Sequence, residues 1–311
     1  MPQWIVSLPD RLDTFLSSDG RMQSRAKAKK AIDRGLVKVN DEIADKPALR
    51  LQEGDTVALE EEEIIVSDTR IVPEDLHFQI LHEDDACMVI DKPAGYAVHP
   101  GIGTEQEMTI LNGIAYLFGK RNIPFTSESV LVHRLDKDTT GCLLVAKNPA
   151  AHLFLQEQFE SRSVKKTYLA LVAGIPNPAA ATIDAPIGRS NLNRTKMSIH
   201  GSSATREAQT TYRTLASAHN ASLLECDLHT GRTHQIRVHL SGIGYPVLGD
   251  SSYVNSLSER LTGEYDIRSI CLHSWKLSFV SPAGGKKHDV LAELPEEFIT
   301  TLRKVGIPFN A

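Results

Sequence analysis

One polar loop of the chain carries side chains suited to covalent or acid–base chemistry. The nine residues HRLDKDTTG, at 133–141, place the carboxylate of Asp136 between two apolar runs, at 130–132 and 142–146. Because the second run suits a strand covered on both faces, core residues hold the loop at both ends and can position a reacting group closely. Asp136 is therefore the candidate nucleophile. The alternative is a structural turn whose Asp and Thr side chains bond to their own backbone.

Other segments, in a fixed order along the chain, accompany this loop. They are DKPAG at 91–95 with VHPG at 98–101, KTYLALVAG at 166–174, HTGRTHQIRVHL at 229–240 with Gly249, Asp250 and Tyr253, and a last segment with Leu272, His273, Leu277 and Phe279. Together with the loop they resemble the motifs of the RluA-type pseudouridine synthases, enzymes that isomerise uridine in RNA. Several motifs in family order are far more specific than any one of them.

The resemblance implies roles for individual residues. Asp136 would act on the ribose as a nucleophile or as a general base, and the sequence does not separate these routes. Arg237 would be its ion-pair partner, because a carboxylate in a partly dry pocket needs an opposite charge. Tyr168, which without the resemblance is an ordinary core aromatic residue, would stack on the base. Arg134 would fill the space left by the flipped nucleotide or stabilise that nucleotide. The RNA-binding residues Arg232, His234 and Gln235 would shape the pocket or contact the RNA backbone. A helix beginning near Thr233 would bury Ile236 and Leu240.

The N-terminal segment is basic although the chain is acidic overall. The formal net charge is −5, yet residues 11–50 hold ten Lys and Arg against six Asp and Glu. Residues 52–85 hold one basic side chain against twelve acidic ones. Binding to phosphates depends on local patches, so the net charge argues neither for nor against RNA.

Within this segment the pattern predicts a helix followed by strands. Ser24 can cap a helix that runs to about Arg34 and stops at Gly35. Its narrow apolar stripe comprises Ala28, Ala31 and Ile32. Strands at 36–40 and 49–57 follow, and the pattern over about residues 11–60 resembles the RNA-binding domain of ribosomal protein S-four. The resemblance makes its basic side chains candidate RNA ligands: Arg25, Lys27, Lys29, Lys30, Arg34 and Lys38. The alternative is a basic helix that is merely solvated.

Beyond this segment the pattern predicts an α+β catalytic domain. Strand patterns at 86–91, 142–146, 167–172 and 222–228 alternate with helical patterns at 109–118 and 149–161. The resemblance implies that the sheet is mixed and largely antiparallel. Pro73 and weak periodicity predict a linker. The expected organisation is an S-four-like domain at 1–66, a linker at 67–76 and a pseudouridine synthase domain at 77–311.

Several function classes are not expected. Uridine isomerisation adds and removes no group, and the chain has no Gly-rich phosphate loop, so we expect no cofactor, including no nucleotide cofactor. His229, His234 and His239 are five residues apart and would not converge on a helix, so we expect no metal. No apolar run approaches the length of a membrane span, the first twenty residues do not resemble a signal peptide, and four isolated cysteines suit reduced thiols. We therefore expect a cytoplasmic protein with no membrane partner, and we expect it to be a monomer.

Details of the motifs indicate the RNA partner. Thr139-Thr140 and the PIGR segment at 186–189 most resemble the RluD-like branch, whose members act on large-subunit ribosomal RNA. The polar segment at 201–207 is longer than usual, and Ser281 stands where a His is common, which bears on the RNA target. Two alternatives are a non-catalytic ribosome-assembly factor and a hydrolase that would release free base.

Overall fold

The structure, a computed structural model, divides the chain into two compact units, Met1–Ser67 and Asp68–Ala311. It describes residues 2–19, 21–22, 25–33, 35–59, 71–100, 107–191, 196–200 and 202–309, without the side chains of residues 26, 27, 30, 202 and 203. The predicted cap Ser24, the candidate RNA ligand Arg34 and part of the predicted linker, 67–70, lie outside the described residues. So do the side chains of Lys27 and Lys30.

The N-terminal unit combines two helices with a four-stranded sheet around one apolar core. Its elements are β1 (Gln3–Ile5), α1 (Leu12–Ser17), α2 (Arg25–Asp33), β2 (Val37–Val39), β3 (Glu42–Ile43) and β4 (Thr56–Leu59). The strands lie in the order β1-β4-β2-β3. Ala28, Ala31 and Ile32 are buried, so the predicted stripe of α2 is confirmed. Gly35, at φ 73°, ends the helix as predicted and donates its N–H to the Ile32 carbonyl group.

The second unit contains the remaining elements. Its strands are β5 (Gln79–Glu83), β6 (Cys87–Lys92), β7 (Thr140–Ala146), β8 (Lys165–Ala173), β9 (Ala180–Asp184), β10 (Ile187–Ser190), β11 (Met197–Ser198), β12 (Ser202–Arg206), β13 (Gln209–Ala218), β14 (Ala221–Leu228), β15 (Leu272–Val280) and β16 (Lys287–Leu291). Its helices are α3 (Ile110–Lys120), α4 (Pro149–Glu160), α5 (Gln235–Gly242), α6 (Ser256–Glu264) and α7 (Glu296–Val305). The predicted strands and helices of the catalytic domain are thus present, with ends shifted by at most two residues.

One large sheet organises this unit. Its order is β5-β6-β7-β15-β8-β14-β13-β9, and β16 also pairs with β15. Among the described strands, β7 and β15 run parallel and the other pairs of this sheet are antiparallel. The predicted mixed, largely antiparallel sheet is therefore confirmed. Strands β10, β11 and β12 form a separate small sheet.

The central strand β7 is buried on both faces. Leu143 and Val145 join a core cluster that includes α3, whereas Cys142, Leu144 and Ala146 join a second cluster that includes α4. Burial on both faces explains the continuous apolar run at 142–146. It also fixes the start of β7, where the loop that carries Asp136 ends.

Residues 71–76, which the sequence assigns to a linker, instead pack within the second unit. Ile71 is buried in the core cluster that includes α3. Asn112 of α3 donates a hydrogen bond from Nδ2 to a carbonyl oxygen of this segment at 2.8 Å. A β-carbon at Gly113 would lie 2.5 Å from the neighbouring Phe78 ring, so the chain lies directly on the helix. The irregular spacing of these apolar residues hides the packing from a periodicity argument.

Two further expectations concern the environment of the chain. All four cysteines, Cys87, Cys142, Cys226 and Cys271, are buried and free, as predicted for core thiols. Within the described ranges, none of the helices has the length and apolar character needed to cross a membrane.

Candidate active site

Lys92 clamps the loop that carries Asp136. Its side chain is fully buried at the end of β6, and its ammonium group donates three hydrogen bonds. The acceptors are the carbonyl oxygens of Pro93, Lys137 and Thr139, at 2.8, 2.8 and 2.9 Å. Burial lowers the pKa of Lys92 to about 8, although the negative charges of Asp138 and Asp136 act in the opposite direction. Because all three N–H groups are satisfied, the buried cation ties β6 to the loop at two points.

Two more residues fix the loop. His133 stacks on Phe159 with 4.7 Å between ring centroids, and its Nε2 accepts the Leu144 N–H at 2.9 Å. Burial, more than the charge of Lys166, lowers the pKa of His133 to about 3, so the ring is neutral. Gly141 has φ 104°, and a β-carbon there would lie 2.3 Å from the carbonyl oxygen of residue 274. A glycine is therefore required where β7 meets β15.

Arg237 links Asp136 to a second carboxylate. Its Nη1 lies 3.1 Å from Asp136 Oδ2, as the predicted ion pair requires. Its Nε and Nη2 donate to the two oxygens of Asp250 at 2.7 and 2.9 Å. The Asp250 side chain has no exposed surface and also accepts the N–H groups of Ser252 and Tyr253. This bidentate pair fixes the plane of the guanidinium group.

Arg237 stays charged in this site. Burial acts to lower the pKa of Arg237, but the hydrogen bonds and charges of Asp250 and Asp136 outweigh it and raise the pKa. Asp136 retains 18% of its side-chain exposure. Within the described residues its Oδ1 accepts no hydrogen bond, so one carboxylate oxygen is available at the pocket. The pocket is lined by Asp136, Tyr168, Arg237 and apolar residues that include Leu228 and Leu272.

Gln235 fixes the turn before α5. Its Oε1 accepts hydrogen bonds from Thr230 Oγ1 at 2.7 Å and from the Arg232 N–H at 3.0 Å. Its Nε2 donates to the Gln209 carbonyl oxygen and to Thr210 Oγ1. Each of these hydrogen-bonding positions is thus occupied inside the protein. Gln235 thus helps to shape the pocket that it lines, and its contact with RNA stays a prediction.

Helix α5 begins two residues later than predicted, because His234 adopts a left-handed backbone conformation with φ 56°. Such a conformation costs a residue other than glycine about 1 kcal/mol and is common at functional sites. Ile236 and Leu240 are buried, as predicted. Arg237 follows on the next position of the helix, so the buried face of α5 determines where its guanidinium group lies.

The His234 ring lies in the pocket wall as a neutral side chain. Burial, and then the charges of Arg237 and Arg134, lower its pKa, against the effect of Asp136. Its Nδ1 lies 3.0 Å from the Tyr253 hydroxyl group, which accepts the N–H of Met197 at 2.9 Å. Which of the two groups donates in the contact between His234 and Tyr253 depends on the tautomer of the His234 ring.

Tyr168 lies on β8 and lines the same pocket as Asp136. It stands opposite Cys226 and Ser274 of the neighbouring strands and is only 5% exposed. Burial, more than the negative charge of Asp136, raises its pKa despite a hydrogen bond with Ser274. The phenol therefore stays neutral and presents an aromatic ring to the pocket.

Two arginines stand at the rim. Arg134 is exposed, and its charge lowers the pKa of both His99 and His234. Arg232 is partly buried and donates from Nε to the Glu207 carbonyl oxygen at 3.0 Å. Both have N–H groups that no described residue occupies, and their contact with RNA stays a prediction.

In the N-terminal unit, the candidate RNA ligands differ in how they are held. Arg25 pairs with the buried Asp13 at 2.9 Å, while Lys29 is exposed and Lys38 is half-buried. Arg11, which the sequence analysis did not select, also pairs with Asp13 at 3.0 Å. Hydrogen bonds from Arg11 lower the pKa of Asp13 to about 2, with help from Arg25. The sequence signal for Arg11 was present in its spacing of two from Asp13.

The histidines at 229, 234 and 239 do not share a site. His229 lies against Thr211, His234 against Tyr253, and His239 between Thr210 and the Ala185 carbonyl oxygen. The described residues contain one group with three metal-ligand atoms within 4.8 Å, formed by His82, Asp84 and His288. Both oxygens of Asp84 already accept hydrogen bonds, from Ser281 Oγ and from the backbone at 86 and 87. These hydrogen bonds satisfy the Asp84 carboxylate, so its position is explained without a bound metal ion.

Comparisons with known proteins agree with this geometry. The chain matches the RNA pseudouridylate synthase family over residues 86–242 and the S4 domain family over residues 10–57. It is 37% identical to a ribosomal large subunit pseudouridine synthase D of Zymomonas mobilis over 292 residues, 92% of this chain and 91% of that protein. It is also 37% identical over 301 residues to an uncharacterized RNA pseudouridine synthase, YlyB, of Bacillus subtilis, covering 96% and 95% of the two chains.

Solved structures give the same result. Human RNA pseudouridylate synthase domain containing 4 superimposes with a TM-score of 0.59 at 27% identity, covering 75% of this chain and 94% of that one. Human RNA pseudouridylate synthase domain containing 1 gives a TM-score of 0.59 at 26% identity, covering 72% and 87%. With a family match over the catalytic motifs and relatives along more than nine-tenths of its length, the chain belongs to the RNA pseudouridylate synthase family and carries an S4 domain ahead of the catalytic unit.

Proposed function

We propose that this chain converts specific uridines of large-subunit ribosomal RNA to pseudouridine, and that Asp136 acts on the ribose. The family makes the chain an isomerase that acts on RNA. One observation carries the assignment of Asp136: among the described residues that line the pocket, it supplies the one carboxylate. That carboxylate is ion-paired to Arg237 and has an oxygen atom available.

The reaction needs an anion beside the ribose. Pseudouridine formation breaks the bond between uracil N1 and ribose C1′, turns the base, and joins C5 to the same C1′. The hydrogen on C5 leaves as a proton and N1 gains one, so no group is transferred to another molecule. Covalent attack at C1′ and removal of a ribose proton both require an ionised carboxylate with an unoccupied oxygen. Asp136 offers both properties.

Arg237 holds that carboxylate in place. Its guanidinium group lies 3.1 Å from the Asp136 carboxylate and supplies an opposite charge to this partly buried group. Asp250 uses two of the donor groups of Arg237, which leaves Nη1 directed at Asp136. The fully buried Asp250 therefore orients the pair without contacting the substrate.

Tyr168 supplies a surface for the uracil ring. Its raised pKa keeps the hydroxyl group protonated, and its ring lines the pocket that contains Asp136. Stacking of a base on an aromatic ring contributes about 1–3 kcal/mol. In this proposal, Tyr168 holds the base while the bond to the ribose breaks and the base turns.

The target nucleotide must leave its stack to reach the pocket, at a cost of a few kcal/mol. Arg134, exposed at the rim and two residues from Asp136, is placed to stabilise the extruded nucleotide or to fill its former position. The basic surface of the S4 domain binds neighbouring RNA. Large-subunit ribosomal RNA is proposed as the substrate because the Zymomonas mobilis relative is named for that subunit.

Tritium release tests the proposal. Large-subunit ribosomal RNA carrying tritium at C5 of uridine is incubated with the wild type and with Asp136→Asn, and modified positions are mapped afterwards. We expect release by the wild type and a loss of at least about 10⁴-fold in the variant, with RNA binding retained. Asp138→Asn is the matched control, because Asp138 is an exposed aspartate of the same loop outside the pocket lining.

Four results would contradict the proposal. Equal losses in the Asp136 and Asp138 variants would mean that the loop, and not the Asp136 carboxylate, matters. Free uracil among the products would indicate a hydrolase. Tight binding without release by the wild type would reject this RNA as the substrate, and rescue of growth by Asp136→Asn would indicate a non-catalytic assembly factor.

A further inference from the structure

Four cations from distant parts of the catalytic unit meet beside the pocket. Arg162 follows the end of α4, Lys166 lies on β8, Arg206 ends β12, and Arg232 precedes α5. Arg232 also lines the pocket that contains Asp136. The cluster therefore begins at the pocket wall and extends away from it.

The cluster is poorly neutralised within the protein. Glu207 is the acidic side chain paired with it, 3.6 Å from Arg162, and that carboxylate is itself 85% exposed. Within the described ranges, the side chains of Lys166 and Arg206 make no ion pair and no hydrogen bond. Lys166 instead rests its ammonium group 5.7 Å from the centre of the Phe159 ring. Four positive charges thus face one solvated negative charge.

The cations lower one another's pKa. Burial, followed by the charges of Arg162 and Arg232, lowers the pKa of Lys166 to about 8. Burial, followed by the charges of Arg206 and Arg162, lowers the pKa of Arg232, against the effect of Glu207. Such a cluster is destabilised by repulsion until an anion enters it.

The geometry relates the cluster to the bound base. Lys166 and Tyr168 are two positions apart on β8, so their side chains emerge on the same face, separated by about 7 Å along the strand. Tyr168 marks where the proposed uracil ring lies, and Arg232 bridges the pocket wall and the cluster. A group bound by Lys166 and Arg232 would then be a close neighbour of the target nucleotide.

We propose that Arg162, Lys166, Arg206 and Arg232 form a subsite for a backbone phosphodiester group of the RNA strand next to the target uridine. The inference rests on the proposed function and adds to it the direction in which the strand leaves the pocket. Guanidinium groups bind phosphate oxygens in pairs, and a lysine adds a point charge. Arg206 ends β12 in the polar segment at 201–207, and this subsite gives that segment a role.

Binding measured over a series of salt concentrations tests the subsite. The full chain, carrying Asp136→Asn so that no turnover occurs, is titrated with transcribed large-subunit ribosomal RNA by filter binding. We expect Lys166→Met and Arg206→Gln each to weaken binding by about tenfold at low salt, and to reduce the slope of log Kd against log salt by about 0.7. Lys165→Met is the matched control, because Lys165 is exposed and points to the opposite face of β8.

The variants also separate binding from structure. Lys166→Arg keeps the charge, so its salt slope should equal that of the protein with Lys166 intact, whereas a purely structural lysine would lose binding in both substitutions. Equal slopes for Lys165→Met, Lys166→Met and Arg206→Gln would overturn the subsite.

Tritium release by the otherwise wild-type chain is measured in parallel. Release with equal slopes rejects the subsite alone, whereas no release, with slopes reduced only at Lys166 and Arg206, rejects large-subunit ribosomal RNA as the substrate and keeps the phosphate subsite.

Discussion

Both units of the chain use a buried aspartate to hold arginines, but these arginines end in different surroundings. In the catalytic unit, the Asp250 side chain has no exposed surface. The side chain of its partner Arg237 is 11% exposed and also forms an ion pair with Asp136. In the N-terminal unit, Asp13 is only 8% exposed, whereas its partner Arg25 is 58% exposed. A buried aspartate therefore holds Arg237 in the interior of one unit and holds Arg25 at the water-exposed surface of the other.

This difference separates two functions of a fixed charge. Interactions between charges strengthen where water is excluded, so Arg237 can control the state of a single carboxylate. An arginine at the surface acts on any phosphate within reach, and salt screens its effect. We therefore expect changes at the buried pair to alter kcat, and changes at the exposed pair to alter the Kd for RNA and its salt dependence.

The largest effect is expected from Arg237→Lys. A lysine keeps the charge but cannot bind both oxygens of Asp250 and also reach Asp136. We expect kcat to fall by about 10³-fold, while the Kd for RNA changes by less than about threefold. Single-turnover tritium release and filter binding measure the two quantities. A kcat within tenfold of the wild type would show that charge suffices and the fork geometry does not matter.

Asp250→Asn should have the next largest effect. The asparagine has one carbonyl oxygen in place of the carboxylate, so Arg237 loses its bidentate partner and its orientation toward Asp136. We expect kcat to fall by about 10²-fold, with a lower Tm. Asp266→Asn is the control, since Asp266 pairs with Arg268 in an exposed site. A lower Tm with unchanged kcat would mean that Asp250 serves the fold alone.

Local signals predicted most of the fold. The continuous run at 142–146, the stripe of α2 and the stop at Gly35 each follow from residues close in sequence. Strands β6, β8 and β14 and helices α3 and α4 follow equally from periodicity. The sheet type came from the family resemblance, because pairing order depends on contacts between distant residues that no local pattern encodes.

The site was only partly predictable for the same reason. Asp136 and Arg237 are 101 positions apart and were paired by resemblance. The Asp250 motif was noted, but its bidentate contact was not foreseen. The role of Lys92 was not foreseen, because sequence does not reveal a buried ammonium group with three carbonyl acceptors. The hydrogen bonds of Gln235 to a strand distant in sequence were likewise not foreseen.

Asp13→Asn is expected to have a moderate, pH-dependent effect. The pKa of Asp13 is lowered from 3.8 to about 2, chiefly by hydrogen bonds from Arg11. The carboxylate therefore stabilises the folded N-terminal unit above about pH 4, and this stabilisation is lost as the pH falls towards 2. Amide exchange of α1 and α2 in the full chain should be faster in the variant at neutral pH. The difference from the wild type should close between these pH values, and a constant difference would contradict the ion-pair origin.

The smallest effect is expected from Arg25→Gln, and it tests the exposed half of the comparison directly. Because Arg25 remains accessible while Asp13 holds it, we expect the Kd for RNA to rise about threefold and the salt slope to fall by about 0.7, with kcat unchanged at saturating RNA. Arg268→Gln is the matched control. It removes one positive charge from the exposed pair that Arg268 forms with Asp266 at 3.0 Å, and it should leave the Kd for RNA within twofold of the wild type. A lower kcat in Arg25→Gln would mean that the exposed arginine contributes to the chemical step. The division between an interior charge that controls a carboxylate and a surface charge that holds RNA would then be wrong.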